Sequence, residues 1–106
     1  MASTVNVKPV IEAICKNMGI AQEKIILFGS RGRGDFDRLS DYDILVILRE
    51  DFNIRTKMEL SRKIREALAA KLVGADIIVK SVKEADYYRD KVGSVVRSAI
   101  AEGVIL

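Results

Sequence analysis

The chain contains no histidine and no tryptophan, and among its 106 residues it has one cysteine, Cys15, and one proline, Pro9. Without histidine there can be no Ser-His-Asp or Cys-His nucleophilic site, no His-ligated zinc and no imidazole proton shuttle. A single cysteine closes no intrachain disulfide and builds no thiolate metal cage. No apolar run comes near the length needed to cross a bilayer. The opening Met1-Ala2-Ser3-Thr4-Val5 has neither the basic region nor the apolar stretch of a secretory signal, so a cytoplasmic protein without a membrane span is expected. The chemistry that remains uses carboxylates, hydroxyls, Arg and Lys, the backbone, or a cation held by oxygen.

Hydrophobic residues make up 49% of the chain and charged residues 31%, which predicts one packed domain over residues 1–106 rather than disorder. Eighteen basic residues against fifteen acidic ones leave a formal charge of +3. That bias suits a partner carrying phosphates, but most of the basic residues are interleaved with acids. Three Phe and three Tyr offer few stacking platforms, so a nucleic-acid partner is disfavoured.

Pro9 stands where a helix can begin, and Val10, Ile11, Ile14 and Met18 recur at helical spacing up to Gly19. Lys24 to Phe28 is a short β-branched run and reads as a buried strand. Gly29 to Ser40 is a connection with room for a helical turn, and Asp43 to Leu48 is a second buried strand. From Asn53 to Leu72 the residues Leu60, Ile64, Leu68 and Leu72 fall four apart, with Arg62, Lys63, Arg65 and Glu66 on the other faces. Gly74 is the expected stop. Asp76 to Val79 predicts a third strand, Ser81 to Arg89 a short helix and Val92 to Ala101 a last one. Gly103 then leads to an apolar tail, Val104-Ile105-Leu106. The pattern predicts an α/β (α+β) domain, a small mixed sheet flanked by helices.

The second and third strands, joined by the long helix, are expected to run parallel with a right-handed crossover. Their starting ends, with Asp41, Asp43 and Asp76, then share one edge of the sheet. The connection from Ser30 to Ser40 suits an antiparallel return, which brings Gly29-Ser30 to that same edge. Asp41 and Asp43 flank Tyr42, so strand alternation sends both carboxylates to one face. Three carboxylates so close repel one another and call for a cation between them. Hard divalent ions such as Mg²⁺ accept such ligands and share substrate phosphates. Two ions about 3.5–4 Å apart would activate an attacking oxygen and stabilise a leaving one. Gly29 permits close approach of the backbone to a phosphate, Ser30 offers a hydroxyl and an N–H, and Arg31 and Arg33 can neutralise a triphosphate.

Simpler readings exist for many of these residues. A lone Asp-x-Asp is more often solvated than metal-bound, and Asp35-Phe36-Asp37 is read as loop. Tyr87 and Tyr88 are read as helix-packing residues rather than acceptors, and Cys15 as a small core residue. The long helix and the apolar tail are read as core elements before interface elements. No Gly-Lys-Ser/Thr follows at the P-loop offset.

Taken together the pieces are more specific. Phe28-Gly29-Ser30, followed after the connection by Ser40-Asp41-Tyr42-Asp43-Ile44, resembles the defining motif of the DNA-polymerase-β-like nucleotidyltransferase superfamily. Asp76 on a later strand matches its third carboxylate. Leu27 to Gly34, and the end Glu102-Gly103-Val104-Ile105-Leu106, are similar to the minimal nucleotidyltransferases, a small prokaryotic branch also called MNT-domain proteins. Gly32 stands where many of those relatives carry Ala.

The resemblance implies a nucleotidyltransferase fold holding Mg²⁺ and a nucleoside triphosphate, with ATP expected. Asp41 and Asp43 would hold metal and triphosphate. Asp76 would bind the catalytic metal and help deprotonate an acceptor hydroxyl, while Gly29 and Ser30 grip the β- and γ-phosphates. It also implies a helical HEPN-domain partner, a toxin that the antitoxin nucleotidylates on tyrosine. Three alternatives stay open: an antitoxin that blocks its partner sterically, a transferase acting on RNA or a small molecule, and a homodimer.

Overall fold

The computed structural model of the chain describes residues 6–34 and 41–106, the side chain of Arg33 excepted. The order of elements is α1 (Val7–Asn17), β1 (Gln22–Phe28), α2 (Gly29–Arg33), β2 (Tyr42–Leu48) and α3 (Ile54–Ala69). There follow β3 (Ala75–Ser81), α4 (Val82–Tyr88), α5 (Val95–Glu102) and β4 (Val104–Ile105). The described strands form one mixed sheet in the order β3-β2-β1-β4. β2 and β3 are parallel across the α3 crossover, whereas β1 is antiparallel to β2 and to β4.

The period-2 pattern of β2 decides what lies on each side of the sheet. Ile44, Val46 and Leu48 face a core built with Ile11 and Cys15 of α1 and with Leu60, Ile64 and Leu68 of α3. Leu45 and Ile47 face the other way, onto Ala85 of α4 and Val96 and Ala99 of α5. Asp43 shares the α4/α5 face by alternation, and Tyr42 shares the α1/α3 face. Leu72, the fourth member of the expected stripe, lies beyond α3 and is exposed, whereas Leu60, Ile64 and Leu68 are fully buried, as their spacing predicts. The Cys15 thiol is also fully buried. Burial pushes its pKa up, with the negative charge of Glu12 adding to the shift, so the thiol is inert.

Several boundaries differ from the sequence pattern, and four of the differences have a local reason. α1 opens at Val7 because the Asn6 side chain accepts from the Lys8 N–H. Pro9 then falls in the first turn, where a missing N–H is harmless. α3 ends at Ala69, and it is Leu72, not Gly74, that takes the left-handed turn, at φ 62°. The turn is closed by bonds from the Leu72 N–H to the Ala69 carbonyl and from the Val73 N–H to the Leu68 carbonyl. α5 starts at Val95 rather than Val92, because Ser94 caps it by accepting from the Arg97 N–H at 3.0 Å. The apolar tail is a strand, Val104 pairing with Leu27 and Ile105 with Ile26, and both side chains are exposed, so of the tail read as a core element only Leu106 packs against the core.

One other expectation needs correcting. Tyr87 and Tyr88 do not pack into the core. Both are exposed and stack edge-to-face on each other at 4.9 Å, with Lys91 over the ring of Tyr87 and Lys80 over that of Tyr88. A Cβ on Gly32 would stand 2.6 Å from the Leu27 carbonyl oxygen, so α2 lies close against the end of β1.

The end of the sheet away from the acidic residues is pinned by a partly buried ion pair. Lys57 of α3 donates to both carboxylate oxygens of Glu84, at 2.8 and 2.9 Å. Glu84 also accepts from the Ser81 N–H, and Ser81 Oγ accepts from the Glu84 N–H, a complete capping box for α4. Partial burial pushes the Glu84 carboxyl up. The hydrogen bonds from Lys57 and Ser81 and the charges of Lys57 and Lys80 outweigh this and hold it below its ordinary 4.5. A carboxylate depressed in the folded state contributes stability above its unfolded pKa and loses it as pH falls through the folded one. Chemical denaturation is therefore expected to show flat stability down to about pH 5 and a decline below it, with this component missing in a Lys57→Met protein.

Candidate active site

The site is assembled by strand register. Phe28, the last residue of β1, is the partner of Asp43 on β2, and Asp43 is in turn the partner of Asp76 on β3. Neighbouring strands lie about 4.8 Å apart, so the end of the Phe28-Gly29-Ser30 segment and two carboxylates stand side by side at one edge of the sheet. This is part of the convergence that the sequence predicts: the turn, Asp43 and Asp76 meet, whereas Asp41 does not join them in one three-carboxylate cluster. The antiparallel β1–β2 pairing and the parallel β2–β3 pairing are both needed for it.

Two glycines lie against the Asp-x-Asp carboxylates. Gly29 has φ 68°, a left-handed conformation that L side chains rarely adopt, and the Asp43 carboxylate occupies the space where a Gly29 Cβ would stand. A Cβ on Gly74 would stand 2.5 Å from Asp41 Oδ1, and the Gly74 carbonyl accepts from the Tyr42 N–H at 2.9 Å. The two carboxylates therefore lean on different neighbours, Asp43 on the β1 end and Asp41 on the segment entering β3. Gly74 is thus more than the helix stop suggested by its place after an apolar run.

Arg31 lies on α2 with its guanidinium 4.3 Å from the centre of the Tyr42 ring and within 3.3 Å of the Tyr42 hydroxyl, to which it donates. Tyr42 is buried, so this contact ties α2 to the start of β2, directly between Asp41 and Asp43. Arg33 closes α2, and its side chain lies outside the described residues, as do Asp35, Asp37 and Ser40.

Asp43 and Asp76 open into a groove of about 510 Å³ that is also lined by Phe28, Ser61, Arg65 and Val95. Ser61 and Arg65 are missed by sequence reasoning, because helical spacing alone puts both outside the buried stripe of α3. Their place beside the acidic residues depends on how α3 lies across the sheet.

The donor chemistry fits a hard divalent cation. Asp43 and Asp76 offer oxygen ligands from adjacent strands, and no nitrogen or sulfur ligand competes with them among the described residues of the groove. Among the described residues no three acidic or sulfur side chains are gathered into a ready cage. The three-carboxylate cluster expected from the sequence is therefore not formed, and what remains for a cation is the adjacent pair Asp43 and Asp76; Mg²⁺ is commonly held by one or two carboxylates together with substrate phosphates.

A nucleotidyltransferase domain family model matches residues 7–105 of the chain. The chain belongs to that family. This nucleotidyltransferase domain is 40% identical over 38 residues to "Putative protein adenylyltransferase MJ0141" of Methanocaldococcus jannaschii, a match covering 36% of the chain and 38% of the relative. Among solved structures, a toxin–antitoxin with AMP-PNP superposes over 95% of the chain and 72% of its own, with TM-score 0.62 at 22% identity. A tri-AMPylated HEPN toxin of Shewanella oneidensis in complex with MNT antitoxin superposes over 93% and 70%, with TM-score 0.51 at 20% identity. At those identities the likeness shows the fold, which is the nucleotidyltransferase fold expected from the motif. No helix among the described residues is long and apolar enough to cross a membrane.

Proposed function

We propose that the domain transfers AMP from ATP to a hydroxyl of a partner protein, and that the partner is a small helical HEPN-domain toxin which this chain neutralises as an antitoxin. The observation that carries the reading is the register Phe28–Asp43–Asp76, with Gly29 pressed beneath the Asp43 carboxylate. It places a phosphate-approach turn and two carboxylates in one row. The named activity of the Methanocaldococcus relative and the toxin–antitoxin neighbours support the acceptor being a protein.

In this mechanism Gly29 and Ser30 hold the β- and γ-phosphates, and Asp41, Asp43 and Asp76 are the carboxylates that would hold Mg²⁺, with Asp41 and Asp43 also orienting the triphosphate. Asp76 accepts the proton of the acceptor hydroxyl. The acceptor oxygen forms a bond to the α-phosphorus while the bond to the bridging oxygen of the β-phosphate breaks, and pyrophosphate leaves with that electron pair. Bound Mg²⁺ would supply charge neutralisation at the phosphates and lower the cost of the acceptor alkoxide. Arg31, fixed on Tyr42, holds α2 and hence the Gly29–Ser30 turn in place. The rest of the catalysis is positioning in a preorganised field.

Mg²⁺ with ATP is expected to stabilise the fold by about 2.7 kcal/mol at a hundredfold excess over the dissociation constant. That is a rise in melting temperature on the order of 10 °C, read by thermal shift with and without a chelator. The activity is tested by incubating the protein with Mg²⁺ and ATP labelled at the α-phosphate in an extract of its own source. The reading predicts label on one small protein. Label on RNA or a small molecule keeps the chemistry and replaces the acceptor. A protein partner that binds tightly and is neutralised without label makes the chain a steric antitoxin instead.

A further inference from the structure

The groove that holds Asp43 and Asp76 continues past them. β3 is outermost in the sheet, and the groove wraps its edge, with Ile78 and Val95 on one face and Ile77, Ser61 and Arg65 on the other. A second hollow of about 200 Å³ shares Ser61, Arg65 and Ile77 with it and runs on past Met58 and Ile54. Ile54, Met58, Ser61 and Arg65 follow one another at spacings of four, three and four residues, a single stripe of α3. Next to it the stripe of Leu60, Ile64 and Leu68 is fully buried, yet Ile54 is 69% exposed and Met58 64%. The core does not use these two apolar side chains.

Ser61 and Arg65 set the end of the stripe nearest the site. The Ser61 hydroxyl donates to the Ile77 carbonyl at 2.9 Å, which fixes this part of α3 against β3. One turn further on, Arg65 lines the groove with the two carboxylates. Its neighbours on α3 are paired, Arg62 with Glu66 and Lys63 with Glu59. The Arg65 guanidinium has no such partner among the described residues.

The direction of the reaction, taken from the proposed transferase reading on which this inference rests, assigns the stripe a role. With the leaving pyrophosphate at Gly29–Ser30 on the β1 side, an in-line attack brings the acceptor oxygen from the opposite side of the α-phosphate. That side is the β3 edge, past Asp76. We infer that the stripe from Arg65 to Ile54 is the docking track for the acceptor, an extended protein segment. The segment places its reacting hydroxyl at Asp76, a neighbouring carboxylate against Arg65, and apolar side chains over Met58 and Ile54. The stripe is about 16 Å long by helix rise, which about five extended residues cover. A polynucleotide fits it poorly, because its phosphates would meet Asp43 and Asp76 with Arg65 as the one unpaired cation that lines both hollows, Lys57 being committed to Glu84.

Arg65→Glu and Met58→Glu proteins test this, both changes lying on exposed positions. Three readouts are taken: the rate of label transfer from α-labelled ATP in the source extract, the affinity for AMP-PNP with Mg²⁺ by calorimetry, and the melting temperature. Each variant is expected to lose tenfold or more in labelling rate, to keep its AMP-PNP affinity within twofold, and to melt as the unaltered protein does. Undiminished labelling in both variants overturns the track. So does an Arg65→Glu protein whose AMP-PNP affinity falls in step with its labelling, since Arg65 would then be a nucleotide contact. Label on RNA or a small molecule in the unaltered protein also overturns it. An unaltered protein that labels nothing overturns the transferase reading itself, and this track with it.

Discussion

Replacing Asp43 by Asn is expected to lower nucleotide transfer by about 10²- to 10³-fold, the scale on which one preorganised electrostatic group acts, with little change in melting temperature. Asp43 is the middle member of the row, partner of Phe28 on one side and Asp76 on the other. Asn keeps the shape of the side chain and removes its charge, so the strand and its packing should survive. The same protein is expected to lose the thermal stabilisation by Mg²⁺ and ATP. A variant that transfers label at the unaltered rate would remove Asp43 from the mechanism. One that melts far below the unaltered protein would make its effect structural.

Gly29→Ala is expected to damage both stability and activity, and the two can be separated. At φ 68° an alanine costs about 1–2 kcal/mol in backbone strain, a fall of roughly 5–15 °C in melting temperature for a domain of this size. In addition its methyl group would take the place of the Asp43 carboxylate. Gly19 provides the control. Its φ is 69°, and a Cβ there meets nothing within 4 Å. Gly19→Ala should therefore show a similar loss of stability with transfer intact at temperatures where it is folded, whereas Gly29→Ala should lose transfer under the same conditions. Equal activities in the two proteins would show that the closeness of Gly29 to Asp43 has no functional part.

The row of site residues was legible in the sequence because it depends on strand direction and register. A long helix between two apolar strands implies a parallel pair, and a ten-residue connection between Ser30 and Asp41 suits an antiparallel one. Those two inferences bring Gly29, Asp43 and Asp76 together without any knowledge of side-chain packing. What was not legible depends on contacts between elements. Arg31 reads as a cation for a triphosphate, and its hold on the Tyr42 ring shows only once that ring is placed beneath it. Gly74 reads as a helix stop until Asp41 comes to lie on it. Arg65 reads as one solvated charge among several until α3 is laid along the edge of β3. The tail misled for a related reason, since a two-residue strand has no periodicity and exists only through its pairing with β1.

The central claim is that the group transferred is a nucleotide. The most direct measurement runs two parallel incubations with Mg²⁺ in the source extract, one with ATP labelled at the α-phosphate and one with ATP labelled at the γ-phosphate. Nucleotidyl transfer predicts protein-bound label from the α-labelled ATP alone, dependent on Asp43. Asp43-dependent label from the γ-labelled ATP would mean phosphoryl transfer and would contradict the assignment of the row Phe28–Asp43–Asp76 as a nucleotidyltransferase centre, as would the absence of Asp43-dependent label from either.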